Sequence, residues 1–560
     1  MLRKVIIALC ALLAADPAIA ASPALRQQMM QPPGWVLPGL GMGGYDYDFK
    51  NGRYYVRGTG LIPPLVTVSR TSAGYAVDSL GNWWPSISSA SCPANQNGLC
   101  AARATNLGIK VEEARTNSIR NNTTQGAAAG TPGTLPTNWQ VVNAAGLTTN
   151  VIATGTQNGI SYIDVQITGT SSGTTYQLAY ESGTQIAASY GQTWTQASFV
   201  ALVGGTLTNV TTIRVQENEN TSGGSFVSSH FGSDFSGTIP SSLNSSSRQQ
   251  VSATLTGTTT GAILPIITVL VNNSSAVNVT FRIGWPQLEL NPNVNSTVAA
   301  AAVATGGTVC VPGTDTFTIV GGVGTAATVS GTVTGGILGG ALTVVTPGSY
   351  TTFPPSPATT TGGTCTTQPT INLTPTNNAA LGWATTPIPT TNAAVTRNAD
   401  AVTLTNAPKF CGAYTEFAAG TPDAPTGYAT NQNIIAANDG TANNRMGLFR
   451  TSSTGLLNGL VEGGGSAFYN QSVSTWSQST SGKSAVSYAT GAQNAAFNTT
   501  LASSGSSVTV PAAFTVTSIG NRLDGTGLWN GTISRIAVAP CINPPPPAQL
   551  QAITNLNSFN

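Results

Sequence analysis

The sequence predicts an all-β protein: tandem β-sandwich (jelly-roll) domains with a small inserted β module, placed after an N-terminal signal peptide. Three observations carry this. Short runs rich in Val, Ile, Thr, Tyr and Phe recur along the chain, bounded by Gly, Asn, Ser and Pro. Helical periodicity is almost absent beyond the first segment. Charged residues are 7% of the chain while apolar residues are 40%, against a usual charged share of about 25%. The missing charge is replaced by Thr, Ser, Asn, Gly and Ala. With net charge near zero, that is a neutral hydroxyl- and amide-rich surface rather than a disordered composition.

Residues 1–20 read as a signal peptide. Arg3-Lys4 form a basic start, Val5 to Ala15 an apolar run, and Ala18-Ile-Ala20 a small-residue cleavage site. The run is too short to span ~30 Å of hydrocarbon, which takes about 20 residues. Export through the general secretory route is expected, to the periplasm, the exterior, or a cell or virion surface. Residues 21–117 form a Gly/Pro-rich leader carrying tyrosines and tryptophans. Residues 118–295 hold enough strand-like runs for a jelly roll. In Ser161 to Thr168, Tyr162, Asp164 and Gln166 alternate with Ile163, Val165 and Ile167, giving one wet and one buried face. Residues 296–385 turn to Thr, Gly, Val and Pro. The runs Thr316–Val320, Ala327–Val333 and Ala341–Val345 argue for a β module there rather than a linker. Residues 386–560 form a second sandwich, closed by Pro544 to Pro547 and a short helix from Ala548 to Leu556.

Removal of the signal peptide leaves Cys92, Cys100, Cys310, Cys365, Cys411 and Cys541. Disulfides persist in oxidising compartments. Six cysteines allow many connectivities; pairing in sequence order is preferred, because each pair then falls within one module. A net charge of +2 without a basic cluster in the mature chain argues against nucleic acid and anionic membrane as partners.

Four segments resemble phage tail and fibre structural proteins. They are Val66 to Gly81, containing Ser69-Arg70 and Val77-Asp78; Gly108 to Asn117, containing Glu112-Glu113-Ala-Arg115-Thr116-Asn117; Gly284-Trp-Pro-Gln287-Leu288-Glu289; and Ile388 to Asp400, containing Val395-Thr396-Arg397. In that family they flank a carbohydrate-binding-module-like jelly roll. The ending, Trp529 to Pro540 followed by Gln549 to Thr554, resembles a concanavalin A-like (laminin-G-type) domain. The third and fourth segments normally lie close together, so the resemblance implies that the Thr/Gly-rich module is inserted between them. The signal peptide and cysteines depart from the family, whose members assemble without export.

No catalytic residue is expected. His230 is the single histidine, in a polar stretch that reads as a loop, so a Ser-His-Asp hydrolase has little to build on and His-based zinc sites are excluded by count. Glu217 and Glu219, or Asp46 and Asp48, have the i, i+2 spacing of paired carboxylates. The glutamates end a strand before Ser/Gly-rich residues, so a solvated loop edge is the preferred reading. Cofactors are none, with Ca²⁺ open at loop carboxylates around Asp439 or Asp524. Glu112, Glu113 and Arg115 read as an ion pair tying the leader to the jelly roll. Glycan stacking is assigned to Tyr469, Trp476, Tyr488 and Trp139, whereas Trp194 and Trp529 read as core. The expected function is therefore an exported, non-catalytic surface or fibre-like protein binding glycan or cell-surface polysaccharide. The alternatives are a polysaccharide-degrading glycosidase and a purely structural phage-type subunit; a homo-oligomer stays open.

Overall fold

The computed structural model describes residues 44–56, 66–86, 88–91, 102–291, 294–404, 413–428, 430–441, 443–504, 514–522, 527–540 and 545–555. The signal peptide, Cys92, Cys100, Cys411, Cys541 and Asp524 lie outside these residues. Among them the regular structure is nearly all strand, with one α-helix, Pro547–Ile553, close to the predicted terminal helix. No helix among them is long and apolar enough to cross a membrane.

The jelly roll packs two antiparallel sheets. One has five strands, ordered Thr148–Gln157, Ile160–Thr170, Ala276–Leu290, Thr193–Gly205, Arg248–Thr254. The other runs Phe226–Phe231, Val210–Asn220, Ala262–Val271, Thr175–Ala179, Gln140–Asn143. Alternation along the strands sets the core: Ile163, Val165 and Ile167 meet Ile213, Ile267 and Val269 between the sheets.

The Thr/Gly-rich segment is a closed six-stranded barrel, running from Val298–Thr305 to Thr370–Pro375. Its three predicted runs are strands, and Phe317, Val329 and Ile371 fill its centre. Closure matters here, because so small a Thr-rich sheet would otherwise expose unpaired edges. Cys310 and Cys365 form the expected disulfide. Tyr190 of the jelly roll enters the barrel core and donates its hydroxyl to the Leu373 carbonyl.

The C-terminal sandwich differs from the sequence reading in one respect. Of the segment read as a Gly/Pro-rich leader, described strands between residues 44 and 111 join both sheets of this sandwich. Tyr45–Asp48 pairs with Gly531–Pro540, and so does Gly108–Val111 at Ile109↔Ile533; Val66–Ser69 pairs with Ala401–Leu404. Residues before the jelly roll and residues after the barrel therefore share one core, in which Tyr47, Val66 and Val111 pack with Ile435, Leu448 and Ile536. Strands of only three or four residues, separated by Gly and Pro, are too short to show a periodic pattern in sequence.

The hairpin Gly74–Val77 with Trp83–Ser86 leaves the sandwich and covers the outer face of the five-stranded jelly-roll sheet. Trp83 inserts against Phe199, with ring centroids 5.8 Å apart. The turn docks through Ser245 N–H to Gly81 O (3.2 Å). Gly81 sits at φ +84°, and a Cβ there would meet the Ser245 hydroxyl, so both the turn and the contact favour glycine.

Candidate functional site

The four segments that carry the family resemblance converge on one buried joint between the two sandwiches. Arg103 bridges Glu112 (2.5 Å) and Asp400. Arg70 reaches the same Asp400 at 2.9 Å, and Arg397 reaches Glu112 at 3.1 Å. Arg115 holds Glu113 at 2.6 Å and donates to Asn291 Oδ1 and the Leu290 carbonyl of the jelly roll. Glu289 accepts from the Thr385 N–H and hydroxyl, and Gln287 donates to Glu289. All these charged side chains are buried. The expected tie between Glu113–Arg115 and the jelly roll is present, as one part of a larger network.

Burial alone would raise the carboxyl pKa of Glu112 and Asp400. Arg397, Arg103 and Lys110 outweigh that for Glu112 and hold it well below the usual carboxylate range; Arg103 and Arg70 lower Asp400. Carboxyls depressed in the folded state stabilise it fully above their unfolded values of about 4, and that stability is lost as pH falls below them. Stability is therefore expected to drop steeply between about pH 4 and pH 2, measured by thermal unfolding across pH. A flat acid limb would contradict the paired joint. Two unpaired carboxyls act in the opposite sense. Burial pushes Glu217 and Glu416 well above the usual range, so their cost grows as pH rises above about 4.

The aromatic side chains expected to stack on sugar are corrected by the structure. Tyr469, Trp476, Tyr488 and Trp139 are all buried, at 1%, 0%, 1% and 5% exposure. Trp476 packs between Phe497 and Trp529, Tyr469 donates to the Ala502 carbonyl, and Trp139 sits edge-on to Tyr180. None offers a ring face to a ligand. Trp194 and Trp529 are core, as read from sequence.

The paired-carboxylate reading also changes. Glu217 and Glu219 follow Ile213 and Val215 at period two and point into the jelly roll, both at 0% exposure. Glu219 is held by His230 Nε2 (2.6 Å), the N–H groups of Thr256 and Gly257 (2.9 Å each) and the Thr260 hydroxyl. His230 lies on the strand Phe226–Phe231, not in a loop. A glycosidic bond cannot reach either carboxylate in this packing. Asp46 and Asp48 are engaged by Arg535 and Arg53. Asp439 accepts from Thr441 and Asn444 within its own loop, and no cluster of three potential metal-ligating side chains occurs among the described residues.

What remains is a cleft on the outer face of the seven-stranded sheet of the C-terminal sandwich. It measures about 620 Å³ and is lined by Asn431, Asn433, Arg445, Phe449, Glu462 and Asn470, among others. Period-two alternation builds it. Met446, Leu448 and Val461 face the core, leaving Arg445, Phe449, Leu460 and Glu462 outward. Arg445 lies directly opposite Glu462 and donates from Nε to Oε2 at 2.6 Å. Asn470 lies opposite Leu460 and is exposed. The arrangement gives an apolar floor, three amides, the Arg445–Glu462 ion pair and a second guanidinium, Arg522. Sequence reasoning missed it, although Arg445 and Glu462 are conspicuous in so uncharged a chain and the outward set is legible once Met446 and Leu448 are placed inward.

No family model matches the chain, and no curated relative matches it. Among solved structures, the CBM40 of Ruminococcus gnavus IT-sialidase bound to α2,3-sialyllactose is similar over 26% of this chain and 84% of that one, at 14% identity and TM-score 0.22. The CBM22-1–CBM22-2 tandem of Paenibacillus barcinonensis Xyn10C covers 77% of this chain and 97% of its own, at 10% identity and TM-score 0.19. Domains LG4-5 of the mouse laminin α1 chain cover 70% and 92%, at 9% identity and TM-score 0.19. At such scores the likeness carries no argument about ligand. The fold class rests on the strand pairings themselves: two antiparallel β-sandwiches with a closed barrel between them in sequence.

Proposed function

We propose that the protein is an exported, non-catalytic surface or fibre-like protein whose C-terminal sandwich binds glycan. The cleft carries this reading. Its volume lies within the ~300–1,000 Å³ of small-ligand sites, with an apolar floor and a few fixed polar groups. Its three amides, the Arg445–Glu462 pair and the Arg522 guanidinium offer donors and acceptors that suit sugar hydroxyls. Glu462 is the single carboxylate among the described lining residues, whereas hydrolysis takes two. The disulfide supports an oxidising destination. The joint supports a rigid connector between sandwiches, in keeping with the fibre-type resemblance of the segments that form it.

Ala467 and Asn470 line the cleft from exposed positions on an edge strand, so they can be changed without touching the core. Ala467→Arg is expected to block the cleft and weaken retention in gels carrying soluble neutral polysaccharides by at least about tenfold, a loss of ~1.4 kcal/mol, with thermal unfolding unchanged. Undiminished retention would overturn the assignment of this cleft.

A further inference from the structure

Eight of the nine tryptophans fall within the described residues, and seven of those eight are buried. Trp84 is the exception, at 56% exposure. Its neighbour Trp83 is 6% exposed. The two occupy successive positions on one strand, so the pleat sends one ring into the jelly roll and the other out. The pleat fixes that this position faces water, but not that an indole fills it, and leaving so large an apolar ring in water forgoes its burial.

The ring is also pinned. Its Nε1 donates to Asp78 Oδ2 at 2.8 Å, and Asp78 accepts from the N–H groups of Leu80 and Asn82 (2.9 Å each) and from Asn82 Nδ2 (3.2 Å). A carboxylate saturated in this way fixes the indole at little further entropic cost on binding. Beside it lies a pocket of about 270 Å³ lined by Asp78, Trp84, Ala104, Thr105 and Asn106. The Asn106 amide is itself oriented, accepting from Ser79 N–H and donating to the Ser79 hydroxyl at 2.8 Å each. This leaves one amide hydrogen and one lone pair directed elsewhere.

We infer that Trp84, with Asp78 as its positioning residue and Asn106 as a polar contact, is a second carbohydrate-binding site, taking one or two pyranose units of a neutral glycan against the indole. A preoriented aromatic face beside an amide matches the apolar face and equatorial hydroxyls of such a ring. The site lies on the hairpin that covers the jelly roll and does not depend on the cleft of the C-terminal sandwich.

The test is affinity electrophoresis of the full mature chain in gels carrying soluble β-glucan, xylan, mannan or galactan, made in the Ala467→Arg background so that the cleft is blocked. Ala467→Arg should still be retarded by one of the four. Adding Trp84→Ala should weaken that retardation by at least about tenfold, and Trp84→Phe should restore part of it, since a smaller ring still stacks. Three results would overturn the inference: no retardation of Ala467→Arg on any gel, retardation indifferent to Trp84→Ala, or concentration-dependent self-association that Trp84→Ala abolishes. In the first case, retention of the parent chain leaves the cleft reading standing; a parent that also runs free removes both.

Discussion

Replacing Arg103 with methionine is expected to lower the unfolding free energy by about 3–5 kcal/mol. The guanidinium is shared by Glu112 and Asp400, and both carboxylates are buried. Methionine keeps much of the volume and removes the charge, so both acids lose a partner without regaining water. Arg70 and Arg397 still reach Asp400 and Glu112, which sets the loss within that range rather than above it. A double-mutant cycle with Asp400→Asn isolates the pair, and urea unfolding supplies the numbers. Coupling is expected because the two residues share one network. A loss under about 1 kcal/mol, the scale of an exposed ion pair, would mean that water enters the joint.

The second large effect is expected at Trp476. Trp476→Ala should cost about 3–5 kcal/mol, the range for large aromatics truncated in cores. The ring fills the space between Phe497 and Trp529, and its Nε1 donates to the Thr480 carbonyl at 2.8 Å. The same residue's carbonyl accepts from Arg450 Nε at 2.6 Å, so collapse around the cavity also disturbs a buried guanidinium. Thermal unfolding and glycan retention should therefore fall together. Loss of retention with an unchanged unfolding curve would instead place the ring in a ligand site and contradict its burial.

Trp476 and Tyr469 show where the sequence misleads. Both stand among Asn, Ser and Gln, which suggests a wet surface. Tyr469 lies on the strand Ser466–Thr475, where the polar Asn470 at i+1 describes the opposite face and says nothing of Tyr469 itself. Trp476 follows the end of that strand and turns into the core from there. Asn470 faces the cleft while Tyr469, one step away, lies in the core. The same rule, applied to Ile213, Val215, Glu217 and Glu219, places both glutamates inward and so removes the catalytic pair. It also sends one of Trp83 and Trp84 outward.

Other parts were legible for sound reasons. The jelly-roll strand Ile160–Thr170 alternates apolar with polar residues, and the barrel runs are rich in β-branched residues with Gly nearby. The resemblance segments mark the joint because buried arginine–carboxylate networks need specific partners at fixed places. Arg70, Glu112, Arg115, Glu289, Arg397 and Asp400 are too rare in this chain to be incidental surface charge. Their convergence was not legible, because it depends on Gly108–Val111 pairing with Gly531–Pro540 across most of the chain.

Binding without cleavage is tested most directly by a glycan array probed with the oxidised mature protein, with the wash analysed for released sugars. Selective retention of neutral glycans, lost in the Ala467→Arg, Trp84→Ala double variant and accompanied by no released sugar, is the predicted result. A blank array, or reducing ends appearing in the wash, would contradict it.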